Sequence, residues 1–176
     1  MQAAWSSLLP TPLHPAIVHM PMALTILVPV FAVGALIAVQ RGARSLRTWG
    51  VATAMFAALS LSAWASIETG EDQEDKVKPV VPKTAFKAHE EAADQFLWLS
   101  VGVLGIAAVG LLAGRVGTGA RVLATVGSGV LLVAGYNVGH SGGKLVYQHG
   151  AASAYTADSG LGTARPATNQ QSEANH

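Results

Sequence analysis

Histidine is the only residue type in this chain that supplies strong nitrogen ligands to a metal or cofactor. The chain has six histidines and no cysteine, which excludes disulfides, thiolate metal sites and cysteine-held iron–sulfur clusters. The histidines are His14, His19, His89, His140, His149 and His176. None of them lies in the middle of a long apolar run. A neutral imidazole can bind haem iron, zinc or copper, so this pattern predicts chemistry at the ends of apolar elements.

The elements that must position these histidines have the composition of membrane spans. The chain is 51% hydrophobic and only 12% charged, against roughly 25% charged residues in soluble domains. A bilayer core about 30 Å thick needs roughly 20 apolar residues in a helix. Four runs meet that length, at about 17–39, 49–67, 96–113 and 122–139. We therefore predict an all-α integral membrane protein in which residues 1–150 form a four-transmembrane-helix bundle.

The remainder of the chain, residues 151–176, has a different composition. It is rich in Ala, Ser, Thr, Gly, Asn and Gln and has no hydrophobic periodicity. Such a segment buries too little apolar surface to offset the entropy of ordering it. We predict a disordered polar tail.

The charges in the short links between spans predict the orientation. Both the link between spans one and two and the link between spans three and four carry positive charge and no acid. The residues are Arg41, Arg44 and Arg47 in the first link, and Arg115 and Arg121 in the second. Positively charged short loops stay in the cytoplasm. Both termini and the long loop at 68–94 are then outside, which predicts a multi-pass protein of the bacterial inner membrane.

Proline and glycine modify the expected spans. Pro21 and Pro29 each remove a backbone donor inside span one and should kink it. Four glycines in spans three and four have the spacing that allows helices to approach closely: Gly110, Gly114, Gly135 and Gly139.

The predicted topology brings five histidines to the outer, periplasmic side. Pro15 suits the first helical position, which leaves His14 just outside the helix and His19 about one turn inside it. Those two cannot share a helical face, because five residues rotate about 140°. The segment 141–143, Ser-Gly-Gly, should bend or reverse the chain between His140 and His149. Each histidine is therefore expected to meet partners on other helices.

Two kinds of cofactor fit such a set. Two neutral imidazoles from neighbouring helices can hold haem iron axially, and small residues leave room for the flat ring. Zinc or copper held by three histidines is the alternative. The expected ligands of either are His19, His89, His140 and His149, with His14 as an alternate ligand or a supporting partner. His19 and His140 come closest to the apolar layer, where an unpaired imidazole is costly.

Other functional classes find no support in the residues. Residues 139–143 match the nucleophile-elbow pattern, which requires a strand that is not readable here. His89-Glu90 begins like a zinc-protease helix, but Ala93 stands where the second histidine is needed. A net charge of +1 without a basic patch argues against nucleic acid as a partner.

Four segments carry a family resemblance. They are HPAIVHMP at 14–21, TGE at 69–71, AHEE at 88–91 and GHSGGKLVYQHG at 139–150. Together they resemble the domain-of-unknown-function 2231 family of small bacterial membrane proteins. Met20 stands where that family commonly has Phe, and a thioether there leaves the helix intact.

The resemblance implies a place in electron transfer, since some members of that family are joined to Rieske iron–sulfur or c-type cytochrome domains. It favours haem over zinc. We therefore expect a b-type haem-binding protein with one or two haems near its periplasmic face. It would pass electrons between a quinol or membrane partner and an external redox protein, as a subunit of a larger complex or a homo-oligomer more than as a stand-alone enzyme. The alternative is a non-redox membrane subunit, either an assembly scaffold or a zinc- or copper-binding site.

The orientation is testable with reporter fusions. Fusions after Arg44 and after Gly117 should report a cytoplasmic location, because the arginine-only links are retained there. Fusions after Lys78 and after Thr163 should report an external location. An external signal at Arg44 would overturn the predicted orientation.

Overall fold

The computed structural model describes residues 13–156, which are almost entirely helical and contain no strand. In chain order the helices are α1 His14–Ile17, α2 His19–Gln40, α3 Ser45–Glu71, α4 Glu74–Val77, α5 Lys83–Val109, α6 Gly114–Tyr147 and α7 Ser153–Thr156. Four stretches are long and apolar enough to cross a membrane: His14–Gln40, Ser45–Glu71, Lys83–Val109 and Gly114–Tyr147. The predicted four-span, all-helical membrane fold is confirmed. The side of the membrane on which the termini lie stays a prediction.

The four long helices form a closed ring. Each packs against the long helices that precede and follow it in the chain, and α6 returns to pack against α2. Short links make α2 and α3, and likewise α5 and α6, antiparallel neighbours. We call the end that holds the 72–82 link the outer end, following the predicted orientation, and the opposite end the inner end.

Small side chains dominate the places where the helices meet. Ala32, Ala107 and Ala124 are completely buried, and Ser100 and Ser128 nearly so. An apolar side chain is as well solvated by lipid as by a neighbouring helix. Close packing and hydrogen bonds, and not the hydrophobic effect, therefore hold such a bundle together. The interior is therefore tight because its residues are small.

The two prolines of the first span act differently. Val18 separates α1 from α2, because Pro21 has no N–H to donate to the carbonyl of Ile17. Pro21 consequently lies in the first turn of α2, where a missing donor costs nothing. Pro29 lies inside α2, which continues through it.

Only one glycine of each predicted pair mediates helix contact. A Cβ added to Gly135 would lie 2.8 Å from Thr25 Cγ2 on α2, and one added to Gly110 would overlap the Trp49 indole. Gly139 faces open space, and Gly114 supplies the positive φ of 78° from which α6 starts. Close approach is thus needed at Gly110 and Gly135.

The bend expected at 141–143 is wrong, because α6 is continuous over 34 residues. Each glycine costs a helix about 1 kcal/mol, and here Gly142 lies against the ring of His89. A helix of that length extends ~50 Å, well beyond a bilayer core of about 30 Å. The outer turns of α6 therefore project past its apolar run and carry residues of the site described below.

The boundary between bundle and tail lies near the end of the described chain. Ala151 is buried with Val81 and Leu145 in a small apolar cluster at the outer end, and α7 packs against α4. The first six residues of the predicted tail are therefore placed, whereas residues 157–176 lie outside the described part of the chain.

Donors from other segments pair the carbonyl groups at the inner end of α5. Trp49 Nε1 donates to Ala107 O at 2.9 Å. Arg121 is only 4% exposed, and it donates from Nε to Gly110 O at 2.7 Å and from Nη2 to Leu112 O at 2.9 Å. A helix C-terminus leaves such carbonyls without partners of its own. Arg121 therefore holds the link between α5 and α6 together, instead of lying free as a loop charge.

Replacing Arg121 tests this role. Arg121→Met keeps an unbranched side chain of similar length but leaves two carbonyls unpaired, which should lower the free energy of unfolding by about 1–3 kcal/mol. The measurement is thermal unfolding in detergent, followed by tryptophan fluorescence. Arg115→Met is the matched control, since Arg115 in the first turn of α6 is exposed. Equal melting temperatures for the two variants would contradict the assignment.

Candidate functional site

Two half-buried imidazoles at the outer end each lie against a glycine of the following span. The His14 ring lies on α3, where a Cβ added to Gly70 would be 3.2 Å from His14 Cε1. The His89 ring lies on α6, where a Cβ added to Gly142 would be 3.1 Å from His89 Cε1. Both contacts are tighter than a β-carbon normally makes. Each glycine therefore provides the space that its imidazole occupies.

One ring nitrogen of His14 is held by the backbone of α3. His14 Nδ1 lies 2.8 Å from the carbonyl oxygen of Ser66, and the hydroxyl of Thr69 is 3.4 Å away. Because a carbonyl only accepts hydrogen bonds, Nδ1 must carry the hydrogen. In the neutral ring this leaves Nε2 with a free lone pair.

His89 has the same tautomer for a related reason. Its Nδ1 lies 2.9 Å from the hydroxyl of Ser141, and that hydroxyl donates to Val138 O at 2.9 Å. Since the serine hydrogen is already used, the hydroxyl accepts the hydrogen bond from His89 Nδ1. Nε2 of His89 is again the nitrogen left with a lone pair.

The two imidazoles form a pair. They come from different helices and both lie at the outer end of the bundle, within the range of an electrostatic interaction. In each case a hydrogen bond at Nδ1 fixes the tautomer and the ring orientation. This is how proteins hold histidines that bind a metal through Nε2. We refer to His14 and His89 as the imidazole pair.

The other predicted ligands lie elsewhere. His19 is exposed on α2, and His140 is exposed on α6. The His140 ring stacks on Tyr136 of the same helix, with centroids 5.7 Å apart and planes within 8°. His149 is half-buried just beyond α6, and His176 lies outside the described residues. The hydrogen bonds and ring contacts of residues 13–156 do not connect His19, His140 or His149 to the imidazole pair.

The geometry of the first span explains why His14 is in the pair and His19 is not. With His14 directed toward α3, a rotation of about 140° directs His19 away from it. Of the five histidines predicted to hold a cofactor, His14 and His89 are the two that the described residues show hydrogen-bonded through Nδ1 to a neighbouring helix.

Sequence reasoning missed the residues that support these rings. Gly70 and Gly142 provide the space, and the backbone of Ser66 and the side chain of Ser141 accept the hydrogen bonds. A signal was present, because Thr69-Gly70 and Ser141-Gly142 both pair a hydroxyl residue with glycine at the outer end of a span. Only the helix packing shows that each dipeptide faces a histidine.

The donor set of the site is two imidazoles. Within residues 13–156 no three or more histidine, aspartate and glutamate side chains are grouped so that they could hold a metal ion. Five acids near the outer ends of the spans are exposed: Glu68, Glu71, Asp72, Glu90 and Glu91. Protein zinc sites use three or four ligands, whereas two axial imidazoles suffice for haem iron. Two imidazoles therefore match the number of axial ligands of a haem iron and are fewer than a zinc site uses.

These features define a multi-pass helical membrane protein with a two-imidazole site at one end of its bundle. The chain belongs to the family described as "Predicted membrane protein (DUF2231)", whose sequence profile matches residues 10–154. The resemblance found in the sequence is thereby confirmed. Neither the curated proteins nor the solved structures include a match to this chain.

The tautomers of the imidazole pair can be measured by NMR. Long-range ¹H–¹⁵N spectra of protein labelled at histidine should show His14 and His89 protonated at Nδ1, because both nitrogens face acceptors. Ser141→Ala should shift the His89 signals and leave those of His14 in place. Protonation at Nε2 in both rings would contradict the geometry.

Proposed function

We propose that this protein is a membrane b-type haem-binding protein that transfers electrons, with His14 and His89 as the axial ligands. The observation that supports this best is the imidazole pair. Two rings from different helices, both at the outer end, each have Nδ1 hydrogen-bonded and a lone pair on Nε2. Two such nitrogens are the donor set of a six-coordinate haem iron.

The chain contributes orientation and basicity. A hydrogen bond from Nδ1 to an oxygen makes Nε2 a better donor and stops the ring from rotating. Because Gly70 and Gly142 have no side chain, the two rings can lie directly against the neighbouring helices. When bound, haem supplies an iron centre that gains and loses one electron.

The location of the pair supports exchange with partners outside the apolar layer. His14 precedes the first apolar run and His89 precedes the third, so both lie near the surface of the bilayer. From that depth electrons can pass between a quinol or membrane partner and an external redox protein. A second haem would have to use His19, His140 or His149. Part of the haem spectrum would then be lost in His19→Ala or His140→Ala if either residue were a ligand.

The test is the optical spectrum of protein expressed with ample haem and purified in detergent. The wild type should show a Soret band with the sharp α and β bands of a six-coordinate b-type haem. His14→Ala and His89→Ala should each abolish that spectrum or convert it to a high-spin form. His19→Ala and His140→Ala should retain it, because these side chains are exposed, and His176→Ala is the control.

Two results would overturn the proposal. One is a colourless wild type under these conditions, and the other is a wild-type spectrum in both His14→Ala and His89→Ala. A colourless protein that retains zinc or copper would instead favour a metal site, and one that retains neither would favour a scaffold. Loss of haem in His140→Ala alone would favour the ligands predicted from the sequence, which are His19, His89, His140 and His149.

The hydrogen bond at Nδ1 of His89 allows a graded test. Ser141→Ala should keep the haem but weaken its retention by about 10–100-fold, as expected when a group that orients a ligand is removed. Ser62→Ala is a matched control, because Ser62 donates to Leu59 O at 2.9 Å with the same i−3 spacing and makes no contact with the pair. Haem titration of both variants measures the difference. Equal retention would show that the Ser141 hydroxyl does not support the site.

A further inference from the structure

An open groove crosses the inner half of the bundle surface between α2 and α3. Its volume is about 390 Å³, and its lining includes Val30, Phe31 and Gly34 of α2 and Thr48, Val51 and Ala52 of α3. All of these except Thr48 are non-polar. A Cβ added to Gly34 would meet nothing within 4 Å, so a side chain at that position would have room.

The inner end of this groove meets a group of arginines. Arg41 and Arg44 lie in the link between α2 and α3, Arg47 lies in the first turn of α3, and all three are exposed. Arg47 directly precedes Thr48, which lines the groove. Gly34 lies seven residues before Arg41, or ~10 Å deeper along a helix. The charges are therefore at the mouth of the groove, and its apolar part runs into the membrane.

The part of the chain that the structure describes offers these arginines no carboxylate. The first acidic residue of the chain is Glu68, and there is none between Asp94 and Asp158. Within the described residues the ion pairs are Lys78–Glu74 and Lys87–Glu91, both at the outer end. The three positive charges at the membrane surface therefore have no anionic partner within the described chain, and an anion from outside it can pair with them.

We propose that this site binds an anionic phospholipid, with one acyl chain in the groove and the phosphate beside Arg41, Arg44 and Arg47. The apolar lining suits a hydrocarbon chain, and the charge at the mouth suits a headgroup with net negative charge. A second copy of this protein fits poorly, because a two-fold contact here would bring two sets of arginines together without an acid between them.

Native mass spectrometry of the delipidated protein tests the proposal, with added dioleoylphosphatidylglycerol or dioleoylphosphatidylcholine as probes. The wild type should retain the anionic lipid in preference to the zwitterionic one. Arg44→Gln and Arg47→Gln should each weaken its retention about fivefold, the equivalent of about 1 kcal/mol for a basic residue at a membrane surface.

A groove variant separates a built site from general surface attraction. Gly34→Leu places a side chain in open space, so it should fill the groove without disturbing the bundle and should abolish retention of phosphatidylglycerol. Arg115→Gln and Gly129→Leu are the matched controls, since Arg115 is exposed at the same end and a Cβ at Gly129 also meets open space. Thermal unfolding verifies that all variants are folded.

Three results would overturn the proposal. Equal retention of the two lipids would show that charge does not select the ligand. Wild-type retention in Gly34→Leu would show that the groove is not occupied. A dimer of the wild type that is lost in Gly34→Leu would assign the groove to a second copy of the chain.

Discussion

Carbonyl groups at helix ends inside a membrane need hydrogen-bond donors. The packing of this bundle depends on side chains that supply those donors. No water is available in the hydrocarbon layer, so an unpaired carbonyl there is costly. At the inner end, Trp49 and Arg121 donate to carbonyls at the end of α5. These bonds hold α3, α5 and α6 in register, and the close approach at Gly110 makes the indole contact possible. The ring of four helices is built around such contacts, with small residues bringing donor and acceptor together.

At the outer end the same kind of bond positions a functional side chain. His14 donates to the carbonyl of Ser66, and His89 donates to a serine hydroxyl that is itself bonded to the backbone. Each bond uses one nitrogen of the ring and leaves the other with a lone pair. A contact that serves packing at one end of the bundle thus orients a pair of imidazoles at the other. The two hairpins, α1–α3 and α5–α6, repeat this arrangement, so the pair is a property of the whole bundle.

The two ends of the protein differ in charge as well as in chemistry. Every acidic residue of the described chain belongs to the outer end, whereas the inner end carries arginine alone. Most of the acids at the outer end are exposed, and Lys76, Lys78, Lys83 and Lys87 lie among them. The inner end is suited to an anionic membrane surface. The proposed haem site at one face and the proposed lipid contact at the other are compatible, because the bundle separates them by the thickness of the apolar layer.

The sequence by itself determined the four spans, the helical class and the family, because runs of about 20 apolar residues have few alternatives in a membrane. It also identified histidine as the only ligand type, and it showed that His14 and His19 could not share a face. It could not show which of the two faces the bundle, since that depends on the rotation of α1 against α3. The glycines were the least predictable residues: 141–143 has the composition of a turn, yet it lies within α6. Whether a glycine bends the chain or allows a close contact depends on what packs against it. At Gly70 and Gly142 the contact is with an imidazole from another helix. Only the packing of the four helices decides that contact, because its partners are more than 50 residues apart in the chain.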